Sequence, residues 1–235
     1  MSRRAPLFPD LRHRELSLRE FMDDPECDRT LLNATYARFA VINRLVSGWR
    51  GLYRERLRPL LTTQSLRLLD IGSGGGDLAR SLAGWAHDDG LQLTITAIDP
   101  DDRALTFASA TPAPPGVEFR SASSTELVTE GAQFDLVVSN HLLHHLSAPA
   151  LHSLLHDSEQ LAPRALHNDI ERSRLAYTAF LIATRPIAAS SFLHHDGLLS
   201  VRRSYTAAEL RAVSPASWRV ERAGLYRLVL TRGAL

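Results

Sequence analysis

Two stretches of this chain combine residue types and spacings that could do chemistry. In LLDIGSGGGDLA, residues 68–79, an apolar run leads to an acid and then to four glycines in five positions. A glycine-rich turn between a strand and a helix usually holds a nucleotide, because the backbone can approach the ligand closely. In SNHLLHHL, residues 139–146, three histidines offer side chains that can accept protons near neutral pH.

The acid that closes the glycine-rich turn indicates which ligand the turn prefers. Asp77 occupies the position of the third glycine in a dinucleotide-binding turn. Its carboxylate would repel a phosphate about 4 Å away by roughly 4 kcal/mol at an effective dielectric constant near 20. The turn therefore favours a ligand with positive charge and no phosphate. S-adenosylmethionine, which carries an ammonium and a sulfonium group, fits this description, and Asp70 adds to the attraction.

A second acid supports this interpretation. The next strand-like run ends in AIDP, which places Asp99 about 25 residues after Gly74. A carboxylate at the end of the neighbouring strand can accept both ribose hydroxyls of an adenosyl group. Two alternatives stay open: a purely structural turn with a surface aspartate, and a nicotinamide-dependent reductase, which Asp77 disfavours.

The histidines could remove a proton from the group that receives a methyl. We expect His144 or His145 to accept this proton, and Asp169, which follows a predicted strand in HNDIERSR, to orient the imidazole. Alternatively, the histidines only pack or cap a helix and Asp169 only ties a loop. Two histidine pairs, at 141/145 and 152/156, have a spacing of four residues, but no Cys or carboxylate pattern completes a site. We therefore expect no metal.

The segments that must position these residues alternate between strand-like and helix-like patterns. Such alternation predicts an α/β fold with a parallel, doubly wound sheet, whose ligands bind at the carboxyl ends of the strands. Two β-rich runs around residues 223–224 predict a closing antiparallel hairpin. Residues 1–15 are polar and lack a period, so we expect them to be frayed, and a helical pattern runs from about residue 16 to residue 61. The predicted strands span 66–71, 91–98, 117–120, 134–139 and 164–170, and the predicted helices span 77–86, 101–109 and 148–161.

Composition narrows the classes of partner. The formal net charge is +1, from 27 Lys+Arg against 26 Asp+Glu, so nucleic acid is not a favoured partner. A single cysteine, Cys27, excludes an intramolecular disulfide. No apolar run approaches the roughly 20 residues of a membrane span, and no apolar region follows the first basic residues as in a secretory signal. We expect a cytoplasmic protein without stable membrane insertion.

Three motifs in order and spacing resemble the class I S-adenosylmethionine-dependent methyltransferases. LLDIGSGGGDLA, AIDP and FDLVVSNHLLHHL match the first, second and fourth motifs of that family. The resemblance covers about residue 66 to the C-terminus, and it implies a Rossmann-like seven-stranded sheet with the last strand antiparallel. Family members often have an acid after the third strand, near the adenine, where FRSASSTEL offers Ser123 and Ser124. The cofactor contacts expected are Asp70, Gly72, Ser73, Gly74, Gly76, Asp99, Pro100, Ser123, Ser124 and Asn140.

The resemblance also implies roles on the acceptor side. Related natural-product O-methyltransferases use a His-His pair with an Asp after the fifth strand, which His144, His145 and Asp169 match. Tyr36, in a helical N-terminal lid over residues 1–62, and His141 are expected to contact the acceptor. His195 belongs to FLHHDGLLSVRRSYT, inside a lid insertion at about 171–204 of the methyltransferase domain 63–235. The alternative is that His195 is only a lid or structural residue.

A weaker resemblance narrows the expected acceptor. YARFAVINRLVSGWR, HNDIERSRLAY and HHDGLLSVRRSYTAAEL are similar to a bacterial subgroup linked to type III polyketide synthases. This resemblance implies O-methylation of a phenol or pyrone, including alkylresorcinols, and the apolar lid segment suits an aromatic or acyl-bearing small molecule. The alternatives are a C-methyltransferase acting on a quinone or aromatic ring, and a protein that binds the cofactor without methylating.

Overall fold

A sheet of seven strands forms the centre of the molecule. A computed structural model describes residue 6 and residues 8–235; residues 1–5 and 7, which belong to the predicted N-terminal lid, lie outside the described residues. The strands are β1 (Leu66–Ile71), β2 (Leu93–Asp99), β3 (Val117–Ser121), β4 (Leu136–Asn140), β5 (Ala165–Ile170), β6 (Arg219–Arg222) and β7 (Arg227–Arg232). Their spatial order is β3-β2-β1-β4-β5-β7-β6.

The topology creates a crevice at one edge of this sheet. Strands β1 to β5 pair in parallel, and β7 pairs antiparallel with both β5 and β6. The order of connection reverses between β1 and β4, and ligands of open α/β sheets bind outside the carboxyl ends of the strands at such a reversal. The predicted fold class, with a doubly wound sheet and a reversed last strand, is confirmed.

Helices cover both faces of the sheet. They are α1 (Arg29–Val46), α2 (Trp49–Leu52), α3 (Arg58–Leu61), α4 (Asp77–Asp88), α5 (Asp102–Ser109), α6 (Ser124–Thr129), α7 (Ala148–Leu161), α8 (Arg174–Thr184), α9 (Leu193–Arg203) and α10 (Ala207–Val213). A π-helical turn at Tyr53–Leu57 joins α2 to α3. Strand β1 is buried on both faces, so its side chains feed two apolar cores: Leu68 packs in one and Leu69 in the other. Strands β1 and β4 are therefore mostly apolar, as a sheet covered on both faces requires.

The N-terminal segment differs from the sequence expectation. Its helical pattern was expected from about residue 16, but the first α-helix begins at Arg29, where the Asp28 side chain caps the backbone N–H groups of Thr30 and Leu31. Before it, the chain makes only a 3-10 turn at Phe21–Asp23. Pro25 accounts for the delay, because proline disfavours helical backbone in the residue that precedes it.

The segment before α1 is held to the body of the protein by arginines, so the expectation that residues up to 15 are frayed is wrong for residues 11–15. Arg172 donates to the carbonyl oxygens of Leu11 and Arg12, and the backbone N–H of Glu15 donates to the carbonyl of Arg202. Helices α8 and α9 lie within the predicted lid insertion and pack against each other. Among the described residues, no helix is both long and apolar enough to cross a bilayer.

Candidate active site

A large cavity opens at the carboxyl ends of β1, β2 and β4. Its volume of about 1180 Å³ exceeds the roughly 300–1,000 Å³ of a typical small-molecule pocket, so two ligands can lie side by side. One part, here called the acidic side, is lined by the glycine-rich turn and by carboxylates. The other part, here called the apolar side, lies under α8, α9 and the β6–β7 hairpin. The acidic side comprises Tyr36, Asp70, Gly72, Ser73, Gly74, Gly75, Asp77, Asp99, Pro100 and Asp101; the apolar side includes Ile170, Ala176, Ala179, Phe180, Ala183, Ile187, Val201, Leu225 and Tyr226.

The glycine-rich turn is fixed to the neighbouring strand β2. The backbone N–H groups of Gly72 and Ser73 both donate to the carbonyl oxygen of Ile98, at 2.9 and 3.0 Å. The N–H of Gly74 donates to Asp99 Oδ2 at 2.9 Å, while Asp99 Oδ1 accepts from the N–H of Asp101. Asp99 is thus held facing the cavity with lone pairs on both oxygens still available.

One glycine of the turn has a different task from the one expected. Gly76 was expected to contact the ligand, but it does not line the cavity. It has a φ of +77°, and a Cβ atom there would overlap the Phe119 ring, so the position needs glycine for packing and backbone. Gly75 lines the cavity instead.

Carboxylates dominate the electrostatics of the acidic side. Burial raises the pKa values of Asp70, Asp77 and Asp99, and the charges of Asp77 and Asp99 raise that of Asp70 further. Asp70 Oδ2 is buried and has no hydrogen-bond partner within the described residues. A cationic ligand would relieve this accumulation of negative charge, whereas a diphosphate would add to it. These three carboxylates therefore fit the ammonium and sulfonium groups of S-adenosylmethionine.

Tyr36 and Asn43 of α1 close the acidic side. The Tyr36 ring contacts the turn, lying 3.7 Å from the Cβ position of Gly74, and Asn43 donates to Asp77 Oδ2 at 3.1 Å. The Tyr36 ring lies beside the glycine-rich turn and lines the cavity, and its contact with the acceptor stays a prediction.

The two serines expected near the adenine are engaged elsewhere. Ser123 caps α6 through a reciprocal pair of hydrogen bonds with Glu126. Ser124 donates to Asp157 Oδ2 at 2.7 Å, and neither serine lines the cavity. Their proposed contact with the cofactor thus has no support in the geometry.

His144 and Asp169 meet beneath the cavity, as expected. His144 Nδ1 lies 2.7 Å from Asp169 Oδ1, and the backbone N–H of His144 donates to Asp169 Oδ2 at 2.8 Å. Burial by itself would raise the pKa of Asp169, but the His144 imidazole and hydrogen bonds outweigh burial and lower it. The ionised carboxylate fixes the proton of His144 on Nδ1, so Nε2 is left as the proton acceptor.

Glu20 joins this histidine pair, and the sequence analysis missed it. Its carboxylate is 2% exposed, accepts a hydrogen bond from Ser200 at 2.8 Å, and lies 3.8 Å from His144 Nε2 and 3.9 Å from His145 Nε2. Burial is the main reason that the pKa of Glu20 is raised to about 7. No local pattern marks Glu20, because it lies in an irregular segment.

The anchor of that segment is Asp196, a neighbour of the expected acceptor contact His195. Asp196 accepts from the backbone N–H groups of Phe21 and Met22 at 2.9 and 3.0 Å. His195 stacks on the Phe21 ring at 4.0 Å and bonds to Asp196, and it does not line the cavity. His195 therefore supports the wall of the site in this geometry and has no contact with the space for the acceptor.

Glu20, His144 and His145 also form a group that could hold a cation. One ligand atom from each lies within 4.8 Å of the others. No pattern in the sequence predicts a carboxylate beside these histidines. The fold supplies that of Glu20, which lies 124 residues before His144 along the chain. Hence the expectation of no metal remains an untested prediction.

A second polar cluster lies at the ends of β4, β5 and β7. Arg227, which is 4% exposed, donates to His141 Nε2 at 2.6 Å, to Asn140 Oδ1 at 3.0 Å and to Asn168 Oδ1 at 3.3 Å. Burial and then the Arg227 charge lower the pKa of His141. Asn140, His141 and Arg227 line the cavity, so the expected positions of Asn140 and His141 are at the site.

Sequence comparison identifies the central part of the chain. Residues 68–162 match the sequence model of a family described as Methyltransferase domain. The ubiquinone biosynthesis O-methyltransferase of Caulobacter sp. (strain K31) is 36% identical over 89 residues, which is 37% of this chain and 33% of that protein. The enzyme of the same name from Parvibaculum lavamentivorans is 26% identical over 132 residues, which is 55% of this chain and 49% of that protein. The chain thus spans between about a quarter and a half of the length of the curated relatives it matches.

Solved structures share the fold over most of the chain. The plantazolicin methyltransferase BpumL, in complex with SAH, superposes with a TM-score of 0.58 at 13% identity and covers 87% of this chain and 95% of that one. A putative O-methyltransferase from Nostoc punctiforme PCC 73102 superposes with a TM-score of 0.52 at 16% identity, covering 83% and 59%. Residues 68–162 therefore match a methyltransferase domain, and the described chain has the Rossmann-like α/β fold of these methyltransferase structures.

Proposed function

We propose that this chain is an S-adenosylmethionine-dependent O-methyltransferase that acts on a small phenolic or enolic acceptor with an apolar substituent. The observation that carries the proposal is the His144–Asp169 pair, whose histidine is among the residues that line a cavity with an acidic side and an apolar side. The names of the relatives, which are O-methyltransferases, support transfer to oxygen. The apolar side supports an acceptor with a hydrocarbon part.

The acidic side would hold the cofactor. When bound, S-adenosylmethionine supplies an electrophilic methyl group on its sulfonium sulfur. Asp99 would accept the ribose hydroxyls, and Asp70 and Asp77 would stabilise the cationic end of the molecule. The glycine-rich turn keeps side chains out of this space, because its backbone is anchored to Ile98 and Asp99.

The histidine pair would prepare the acceptor. His144 Nε2 would take the proton of the acceptor hydroxyl, so that this oxygen could accept the methyl group that the bound cofactor would supply. Asp169 is a positioning residue: it fixes the tautomer and the ring orientation of His144 and stabilises the imidazolium. Glu20 lies 3.8 Å from Nε2 and stabilises the same positive charge.

Two chemical classes of acceptor are compatible with this proposal. The resemblance to the subgroup linked to type III polyketide synthases favours alkylresorcinols and alkylpyrones, whereas the name of the relatives favours phenols of ubiquinone biosynthesis. Both classes combine a ring hydroxyl with a hydrocarbon substituent, which Phe180, Ile187 and Val201 on the apolar side can accommodate.

Two successive measurements test the proposal. Calorimetric titration with S-adenosylhomocysteine and with NADH should show micromolar binding of the first ligand alone. Asp99→Ala should lose binding by about 10- to 100-fold, since a hydrogen bond to a charged group contributes about 1.5–3 kcal/mol. Asp102→Ala is the matched control, because Asp102 bonds to Ser121 and does not line the cavity.

The second measurement identifies the product. The protein is incubated with S-adenosylmethionine labelled with carbon-13 in its methyl group and with the two acceptor classes, and the product is examined by NMR. An O-methyl signal supports the proposal, and a C-methyl signal would favour the alternative reaction on carbon. Replacing His144 and His145 together by Ala should abolish turnover and leave the affinity for S-adenosylhomocysteine unchanged. Undiminished turnover would contradict the role of the histidines.

A further inference from the structure

Arg227 carries a buried positive charge that the proposed mechanism does not use. Its three hydrogen-bond partners, His141, Asn140 and Asn168, are all neutral groups. A buried charge normally has a counter-ion, because taking it out of water costs several kcal/mol that neutral partners only partly recover. Although burial lowers the pKa of Arg227 to about 10, the side chain remains charged near neutral pH.

Other buried arginines in this fold have evident structural roles. Arg172 pairs with Glu209 at 2.5 Å and donates to the carbonyl oxygens of Leu11 and Arg12 in the N-terminal segment. Arg203 donates to the carbonyl oxygens of Leu18 and His145. Arg227 differs from Arg172 because it lines the cavity, and from Arg203 because it holds no backbone carbonyl among its contacts in the described chain. The carboxylate of Asp169 attracts Arg227 but is already occupied by His144.

The guanidinium retains the donors that an anion needs. It has five N–H groups, and its three hydrogen bonds within the described part of the chain leave two of them for a ligand. His141, which accepts one of the three, has a φ of +60°, a conformation that residues other than glycine adopt only where the surrounding structure enforces it. Such strain is frequent at ligand sites.

The position of Arg227 favours an anion on the acceptor. Arg227 is paired with Ile170 across β7 and β5, next to Tyr226, and both neighbours line the apolar side. Strands β4 and β5 separate β7 from β1, which leads into the glycine-rich turn. The acidic side therefore attracts cations at one end of the cavity, and Arg227 is placed to attract an anion nearer the other.

We propose that Arg227, held by His141, Asn140 and Asn168, is the binding site for a carboxylate on the methyl acceptor. The acceptor would then be a hydroxylated ring that carries both a carboxylate and a hydrocarbon substituent. This inference rests on the proposed function, since it specifies the acceptor of that reaction. Arginine suits the task because its planar donors match the two oxygens of a carboxylate.

The test compares two probes that differ only in the carboxylate. An alkylated hydroxybenzoate and the alkylphenol without its carboxylate are titrated into the protein saturated with S-adenosylhomocysteine. The wild-type chain should bind the hydroxybenzoate at least about 10-fold more tightly, as expected for one charge-assisted contact. Equal affinities of the two probes would overturn the inference, and this comparison needs no variant.

Variants then assign the preference to Arg227. Arg227→Gln should remove the preference, and Arg227→Lys should keep part of it. Arg222→Gln is the matched control on the same hairpin, because Arg222 pairs with Glu171 at the surface. A preference that survives in Arg227→Gln would overturn the assignment. Thermal unfolding of each variant checks that it is folded.

A second pair of ligands separates the two possible sources of the carboxylate. S-adenosylhomocysteine carries an amino-acid carboxylate, and 5′-methylthioadenosine lacks it. If Arg227→Gln weakens binding of S-adenosylhomocysteine and not of methylthioadenosine, the carboxylate belongs to the cofactor and the acceptor assignment is overturned. If the wild-type chain does not bind S-adenosylhomocysteine at all, the proposed function itself fails, so the two failures are distinguishable.

Discussion

Asp169 holds His144 at two points: one carboxylate oxygen lies 2.7 Å from the ring Nδ1, and the other accepts the backbone N–H at 2.8 Å. The double contact fixes both the ring and the short 3-10 turn that carries it, Leu143–His145. An imidazole held in this way is pre-organised to accept a proton through Nε2, so it loses little entropy when an acceptor binds.

Replacement of Asp169 by Asn should separate catalysis from cofactor binding. The amide cannot stabilise an imidazolium as a carboxylate does, so we expect kcat to fall by about 100-fold or more, as for loss of general-base assistance. The affinity for S-adenosylhomocysteine should change little. Asp157→Asn is the matched control, because Asp157 is an equally buried carboxylate that bonds to Ser124 and Thr125 instead. Unchanged kcat in Asp169→Asn would contradict the positioning role.

Glu20 should make stability depend on pH in a defined direction. Mainly because of burial, its pKa in the folded chain is about 7, above the ordinary value of 4.5. Between these values the folded chain keeps a proton that the unfolded chain has lost, so the contribution of Glu20 to stability is full below 4.5 and decreases as the pH rises through 7. The free energy of unfolding should fall by up to about 3 kcal/mol over this window.

The measurement for Glu20 is urea unfolding at about pH 4.5 and about pH 8. Glu20→Gln cannot titrate but can still accept the Ser200 hydrogen bond, so its unfolding free energy should lack that fall. Glu55→Gln, at an exposed position in the π-helical turn, is the control and should retain the wild-type pH dependence. Parallel pH curves for wild type and Glu20→Gln would show that Glu20 is not the titrating group.

Chelation should leave methyl transfer unaffected. If the histidines act as a proton acceptor, their Nε2 atoms must be free, and a tightly bound cation among Glu20, His144 and His145 would block them. Turnover is measured before and after dialysis against EDTA, and after addition of Zn²⁺, Mn²⁺ or Mg²⁺. Loss of turnover on chelation and its recovery with one of these ions would show that the group coordinates a metal and would replace the general-base mechanism.

Gly197 should control the size of the apolar side. A Cβ atom at this position of α9 would overlap the ring of Phe180 on α8, which lines the cavity. In Gly197→Ala we expect Phe180 to shift, the KM for the acceptor to change several-fold, and stability to fall by about 1–3 kcal/mol from overpacking. Binding of S-adenosylhomocysteine should be retained.

Gly84→Ala provides the matched control for Gly197→Ala. Gly84 also lies inside a helix, but a Cβ atom there would meet nothing within 4 Å. This control should raise stability by about 0.5–1 kcal/mol and leave the KM for the acceptor unchanged. An unaltered acceptor KM in Gly197→Ala would show that the contact between α8 and α9 does not shape the site.

Local patterns in the sequence were sufficient to predict the sheet, the glycine-rich turn with Asp99, and the pairing of His144 with Asp169. The apolar runs at 66–71 and 91–98 predicted strands because a strand covered on both faces must be mostly apolar. The glycine-rich turn and Asp99 could be placed together because parallel neighbouring strands end at the same edge of the sheet. His144 and Asp169 could be paired on the same grounds.

Only the tertiary structure brought Glu20 to the histidines and Arg227 to His141. These contacts join residues that are 124 and 86 positions apart, and no periodicity or motif relates them. Glu20 is positioned by Asp196, through backbone N–H groups of an irregular segment, and Arg227 by the register between β7 and β5. The sequence by itself determined the elements and the turn, because these depend on neighbours along the chain. The charges that surround the acceptor were decided by packing between distant segments, which local patterns do not encode.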